Sequence, residues 1–193
     1  MNTARAIAAA LLAVAPAMLS FSIHAQDPAA ALDKARADLA AGKPVDVYLG
    51  LSNALPALAA QTPLFLTAAA FIDGALRGYG QYDPRPHDSF TRHEAMRVYV
   101  EPAGFDHKRE GDTYRVSLAC DYAILNAGGK QVTADRTVKE VELTSRQANA
   151  ELAVEVVLPF LDLPPGSYTL EIAVRDRIAG DRAAARLPFR VFQ

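Results

Sequence analysis

Few side chains in this 193-residue chain could do chemistry: three histidines beyond the N-terminal segment, one cysteine and one loop dense in charge. His87, His93 and His107 stand beside Asp88, Glu94 and Asp106, and imidazole with carboxylate suits zinc or copper. None has the compact ligand spacing of HxH or HExxH, and adjacent residues of a strand point to opposite faces. They are expected as solvated surface groups, and no metal is assigned. Cys120 beside Asp121 would be a permissible start for a nucleophile, but it shares parity with Val116, Leu118 and Tyr122. A buried apolar thiol with a raised pKa is the expectation.

Ser52, Ser89, Ser117, Ser145 and Ser167 sit in no GxSxG or other nucleophile motif. GYG and AGGK are turns rather than phosphate loops, because neither lies between a strand and a helix in the required order. Carboxylate pairs are too common to nominate two for glycoside hydrolysis. The sequence therefore offers no catalytic set and no cofactor site.

Recognition has a better case in residues 101–114. There Phe105 lies among Asp106, His107, Lys108, Arg109, Glu110 and Asp112, a mixed-charge loop with an aromatic, at a place where β-sandwiches carry binding sites. In the competing reading Phe105 tucks under the loop while Arg109 and Asp112 pair to shape it. Tyr79, Tyr82 and Arg85 are candidate neighbours. The binding candidates are thus Glu101, Phe105, Lys108, Arg109, Asp112, Tyr79, Tyr82 and Arg85.

The elements that must position these residues are legible from period. Asp27-Pro28 reads as an N-cap followed by proline at the first helical position, and Leu32, Ala35, Leu39 and Ala40 make an apolar stripe up to Gly42. Lys43-Pro44 restarts a helix in which Val47, Leu51, Leu55 and Leu58 recur, with Pro56 kinking or splitting it. This helical hairpin, residues 26–61, has a narrow apolar face that needs a partner, either the following domain or another protein.

From Thr62 the signal turns to strands. A first one spans Leu64 to Ile72, and the proline-rich residues 83–87 read as an edge or crossing segment. Met96, Val98 and Val100 alternate with Arg97, Tyr99 and Glu101 until Pro102 stops the ladder. Tyr114 to Ile124 gives the longest alternating row, a central strand; a turn at 126–130 leads to a weakly patterned edge strand, and Leu152 to Leu158 supplies another. Pro164-Pro165-Gly166 opens a closing hairpin in which Tyr168, Leu170, Ile172 and Val174, then Ala185, Leu187, Phe189 and Val191, face one way. Around its turn Arg175, Asp176, Arg177 and Asp181 are expected to be solvated. Strands spaced by turns without intervening helices predict a mainly β fold, an antiparallel Greek-key sandwich of immunoglobulin type over residues 62–193. Tyr168, at the start of the penultimate strand, is the candidate for that fold's tyrosine corner.

Residues 1–25 carry Arg5, an apolar run broken by Pro16, and Ile23-His24-Ala25, the pattern of a secretory signal cleaved after Ala25. With Cys120 as the only cysteine, no lipid anchor can form at the cut, and an internal disulfide is excluded. No later stretch is apolar for long enough to span a bilayer. The formal net charge of −2, without charge blocks, gives no electrostatic case for nucleic acid.

The segments YGQYDPRPHDSF, VYVEPAGFDHKREGDTYRVSLACDYAILNAGGKQV and PPGSYTLEIAVRDRIAGDRAAARLPFRV resemble a family of uncharacterised exported bacterial proteins with an immunoglobulin-like sandwich. The resemblance covers roughly Leu64 to Phe192, with YVEPxGFxxKREGDxY its specific part, and it implies a fold but no activity. The expectation is a periplasmic or secreted, non-enzymatic binding or assembly module whose partner is another exported protein. The alternative is a carbohydrate-binding protein or enzyme with a shallow site built from Tyr79, Tyr82, Arg85 and the 101–114 loop.

Overall fold

A computed structural model describes residues 27–159 and 162–193. The expected signal segment, residues 1–25, lies outside the described residues. Helix α1 (Pro28–Ala40) is capped by Asp27, whose Oδ1 accepts the Ala29 N–H at 3.1 Å. It ends in a Schellman turn: Gly42, at φ +71°, donates to the Leu39 carbonyl while Lys43 donates to that of Asp38. Helix α2 (Pro44–Ala59) follows and runs unbroken through Pro56, giving up one helical hydrogen bond near its end rather than splitting. Small residues line the contact between the two helices, with Ala31, Ala35 and Ala54 buried. Of the apolar stripe on α1, Ala35 is buried against α2 while Leu32 and Leu39 remain exposed, so the sandwich does not cover it.

Ten strands make the rest: β1 (Phe65–Gly78), β2 (Gln81–Pro84), β3 (Ser89–Thr91), β4 (Met96–Ala103), β5 (Lys108–Glu110), β6 (Thr113–Asn126), β7 (Gln131–Ser145), β8 (Val154–Leu158), β9 (Gly166–Asp176) and β10 (Arg182–Phe192). One sheet has the order β2-β1-β4-β8; the other runs β3-β10-β9-β6, with β7 along the far edge of β6 and β5 on the same edge as β9. β3 pairs with β10 in parallel, and the remaining pairs are antiparallel. Taken in chain order, this is an immunoglobulin-like sandwich, with β1, β4 and β8 in the A, B and E places and β3, β10, β9, β6 and β7 in A′, G, F, C and C′.

The inward faces meet as the alternation dictates. Val98, Val100, Val156 and Leu158 from one sheet lie against Leu118, Ile124, Leu170, Ile172 and Val174 from the other. Phe71, Phe90 and Phe189 close one end with ring centroids 4.9 to 6.0 Å apart, edge to face.

Several local expectations are corrected. Pro102 does not stop β4, because β8 pairs only from Met96 to Val100 and beyond it one edge of β4 has no ladder for a missing N–H to break. β1 is longer than Leu64 to Ile72 and continues into a hairpin with β2; Asp83 and Pro84 end that edge strand and residues 85–88 cross to β3 in the other sheet, in keeping with the edge or crossing reading of 83–87. Tyr99, expected to face outward, is fully buried, and Phe105 is 2% exposed. Asp176 is not a solvated turn residue: it is 2% exposed, with Oδ2 accepting the Asp106 N–H and Oδ1 accepting those of Ile178 and Ala179. A polar turn hid it from pattern reading, because period reports which face is apolar and not which carboxylate caps a buried loop.

Candidate functional site

The eight candidate residues fall into three separate places. Tyr79, Tyr82 and Glu101 come together on the outer face of the β4 sheet, through a bend in β1. β1 pairs with β4 from Phe65 to Phe71, then leaves it; Gly74, at φ +73°, breaks the register, and the β1–β2 hairpin folds back across the sheet. Tyr82 then stacks on Tyr99 with centroids 4.0 Å apart, which explains the burial of Tyr99. Glu101 accepts three hydroxyls: Tyr79 at 2.6 Å, Tyr99 at 2.6 Å and Thr67 at 2.9 Å. The Gly80 N–H donates to the Tyr99 hydroxyl at 3.1 Å.

The protonation states follow from these contacts. Burial works against the Glu101 charge, but the donors Tyr79, Tyr99 and Thr67 outweigh it and hold the carboxyl below its ordinary range. Its hydrogen bond from Tyr79 pushes that phenol up to about 12; for Tyr99, burial first and then the same carboxylate push it to about 12. A carboxylate saturated by its own chain is a latch for the hairpin and presents no free base. Tyr99 and Thr67 complete it: Tyr99 lies two residues before Glu101 on the same face of β4, and Thr67 sits at the bulge of the β1–β4 ladder opposite Glu101, a register that alternation within one strand does not report.

Arg85 serves elsewhere. Its guanidinium meets Glu94 at 2.6 Å, Asp73 at 3.2 Å and the Ser89 carbonyl at 2.8 Å, and lies 4.2 Å over the Phe90 ring. It ties the crossing between the sheets. Lys108, Arg109 and Asp112 form the third group, at the β5–β6 turn. All three are exposed; Lys108 pairs with Glu110, and Arg109 donates to the Gly111 carbonyl rather than pairing with Asp112. Phe105 is beneath them in the core, so the loop presents charge without an aromatic anchor.

Cys120 and Tyr168 serve the structure. Cys120 is free and fully buried, and burial, helped by Asp121, pushes its thiol up to about 12. The Tyr168 hydroxyl donates to the Pro164 carbonyl at 2.8 Å, four residues back across the turn into β9, and its ring stacks on Phe189 at 5.5 Å. His107 donates through Nε2 to the Asn149 carbonyl at 3.0 Å. Among the described residues no group of three His, Cys, Asp or Glu side chains could hold a metal ion, and no helix is long and apolar enough to cross a membrane.

Among the described residues two depressions stand out. A polar one of 260 Å³ lies on the outer face of β6, β7, β9 and β10. Two of its carboxylates are already matched by guanidinium groups: Asp121 takes Arg175 at 2.7 Å, and Glu171 takes Arg182 at 3.0 Å and Arg186 at 3.1 Å; the third, Asp135, accepts the Arg136 N–H. The other, of 180 Å³, is apolar and lies between α2 and one end of the sandwich, lined by Leu55, Leu58, Ala59, Phe65, Ala103 and Ala150 among others.

That groove continues onto the helices. One residue past the buried Ala31 and Ala54, Leu32 and Leu55 sit roughly a quarter turn round from the helix contact, as do Leu39 and Tyr48. In an antiparallel pair, rows displaced the same way round emerge on the same side. Leu32, Leu39, Tyr48, Leu55 and Leu58 therefore form one apolar face, and Tyr48 is 71% and Leu39 65% exposed.

No family model matches the chain, and no curated protein does. Among solved structures it is similar to the sporulation control protein Spo0M of Bacillus subtilis, at 10% identity and a TM-score of 0.38 over 68% of this chain and 50% of that one. An immunoglobulin-like protein of Pseudomonas aeruginosa aligns at 12% identity and a TM-score of 0.33, over 68% of this chain and 98% of that one. A CARDB domain from Pyrococcus furiosus, solved in complex with di-metal ions, aligns at 12% identity and a TM-score of 0.30, over 65% and 88%. The chain spans half of Spo0M, and likeness at this level is silent on function.

Proposed function

We propose that this chain is an exported binding or assembly module that works without catalysis, docking a protein partner on the apolar face of its helical hairpin. One observation carries this: large apolar side chains, Leu32, Leu39, Tyr48, Leu55 and Leu58, are left uncovered on one side of α1 and α2 and run into the apolar groove beside Phe65. Contiguous exposed apolar surface of this kind marks interaction sites; the row on α1 carries one charge, Arg36, between Leu32 and Leu39, where it pairs with Asp33 at 3.4 Å. The signal-like residues 1–25 support export, with the docked protein in the same compartment. Elsewhere Glu101 is taken up by its latch and the charges at Lys108 and Arg175 are paired, while Val45 and Leu49 stand exposed on the opposite side of α2.

The test is capture from a periplasmic extract with the chain of residues 26–193, in parallel with the double variant Leu39→Glu, Leu55→Glu. A protein recovered by the first and lost by the second supports the docking face. Recovery that is equal with both, or a chain that stays in the cytoplasm, overturns it.

A further inference from the structure

The geometry points to a second binding site, apart from the helices: the hollow on the outer face of β6, β7, β9 and β10 takes a small organic acid, its carboxylate held by Arg136 and Arg182 above a floor of alanines. The floor follows from the register. Ala123 stands opposite Ala134, and Ala173, one strand further on, stands opposite Asp121. These are outward positions, where the solvent side of an antiparallel sheet ordinarily carries polar chains, and alanine is depleted in strands. Methyl groups set among arginines and carboxylates leave the 260 Å³ hollow.

Its open valence is chiefly cationic. Both oxygens of Asp121 are occupied, Oδ2 by Arg175 Nε at 2.7 Å and Oδ1 by Arg175 Nη2 at 3.0 Å and the Thr137 N–H at 2.8 Å. Glu171 accepts from Arg182 at 3.0 Å on Oε1 and from Arg186 at 3.1 Å on Oε2. Asp135 stands opposite Tyr122 and accepts the Arg136 N–H at 2.7 Å. Arg182, by contrast, commits only Nη2, and the Arg136 guanidinium has no hydrogen bond or ion pair among the described residues. Arg136, Arg175, Arg182 and Arg186 thus face Asp121, Asp135 and Glu171, one positive charge in excess, in a chain whose net charge is −2. That surplus suits a monoanion, and the fixed carboxylates repel a dianion. The planar fork of arginine matches a carboxylate.

The backbone of β7 is bent to this arrangement. Arg136, Thr137 and Val138 stand opposite Asp121 alone, between the pairs Cys120–Lys139 and Tyr122–Asp135. Thr137 has φ +59°, where a β-branched residue is an outlier. Its N–H on Asp121 and its Oγ1, which accepts Arg175 Nη2 at 3.1 Å, fix it there. Bulges re-aim side chains, and strain that the surroundings hold in place clusters at ligand clamps. This one sets Arg136 at one rim of the hollow, with Arg182 on the other, three strand spacings or about 14 Å away at the backbone. The volume is below that of a drug-sized site, so the acid has the bulk of a single ring. An aromatic acid and an acidic sugar share that chemistry.

Amide chemical shifts of residues 26–193, titrated at low salt with benzoate, glucuronate and inorganic phosphate, test this. Saturable shifts at Ala123, Ala134 and Ala173 with a carboxylate, at a Kd of about 1 mM, are the expected result. The tighter of the two ring acids then tells an aromatic acid from an acidic sugar. Arg136→Gln should weaken binding about tenfold. Ala134→Leu, which fills the floor from an exposed edge position, should abolish it, with melting unchanged in both variants. Arg190→Gln removes an arginine of β10 that does not line the hollow and should change nothing. Absence of a saturable shift with either ring acid overturns the inference, and so does phosphate binding as tightly as they do. An Arg190→Gln chain that loses as much affinity as Arg136→Gln reduces the site to a diffuse basic face and overturns it too.

Discussion

Tyr79 reaches from the tip of the β1–β2 hairpin to Glu101, hydroxyl to Oε1 2.6 Å, although β1 and β4 have already parted after Phe71. Sequence neighbours do not make this contact; the left-handed Gly74 does, by letting the hairpin fold back across the sheet.

The phenols of this latch should titrate late. Tyr79 and Tyr99 are both pushed up to about 12 from an ordinary 10.0, so the stability they contribute is intact below pH 10 and falls between 10 and 12. In an ultraviolet alkaline titration, Tyr79→Phe and Tyr99→Phe should each remove one tyrosinate from the late step. Loss from the step near 10 instead would contradict the latch.

Acid acts on the other partner. The Glu101 carboxyl is held below its ordinary value of 4.5, so its contribution is present above that value and is lost as pH falls through the lower, folded one. Melting temperature measured below pH 4.5 should fall less steeply in Glu101→Gln than in the parent chain.

Asp176 should be among the costliest carboxylates to remove. Asp176→Ala leaves the N–H groups of Asp106, Ile178 and Ala179 without this acceptor, at about 3 kcal/mol. Asp176→Asn turns one acceptor into a donor facing an N–H and should cost somewhat less. Urea denaturation of both variants measures the difference.

Cys120 should be inert in the folded chain. With its thiol fully buried and raised to about 12, maleimide labelling is expected to follow global opening and to slow as stabilising osmolyte is added. Labelling at the rate of the urea-unfolded chain would contradict this.

Tyr168→Phe keeps the ring on Phe189 and deletes only the bond to Pro164. Chemical denaturation should register a loss of about 1 kcal/mol. No change would reduce the tyrosine to a packing aromatic.

What the sequence made legible is what strand period and capping chemistry encode. The inward rows of β6, β9 and β10, the Asp27-Pro28 start and the edge character of β7 could all be read residue by residue, because each depends on neighbours within one element. Tyr99 and Asp176 could not, and for Phe105 the sequence left two readings open, of which the one that tucks it under the loop holds. Tyr99 follows alternation as an outward residue and is buried only because a distant hairpin returns over it. Phe105 and Asp176 sit in segments whose polar composition matches any exposed turn, and a buried turn differs only in what closes over it. The candidate site divided for the same reason: Tyr82 and Arg85 are three residues apart, yet one stacks in the latch and the other ties the crossing between sheets.

The approach of residue 104 to the linker has a mechanical consequence. A Cβ on Gly104 would stand 2.6 Å from the Pro63 carbonyl oxygen, and the Leu64 N–H is held by Asp181 at 3.4 Å. The link between hairpin and sandwich is therefore an elbow locked against the sandwich, with α2 as a cantilever about 24 Å long. A rotation of about ten degrees at the elbow would swing the far end of α2 by roughly 4 Å, more than half a helical turn of rise. One glycine thus sets the angle at which α2 leaves the sandwich.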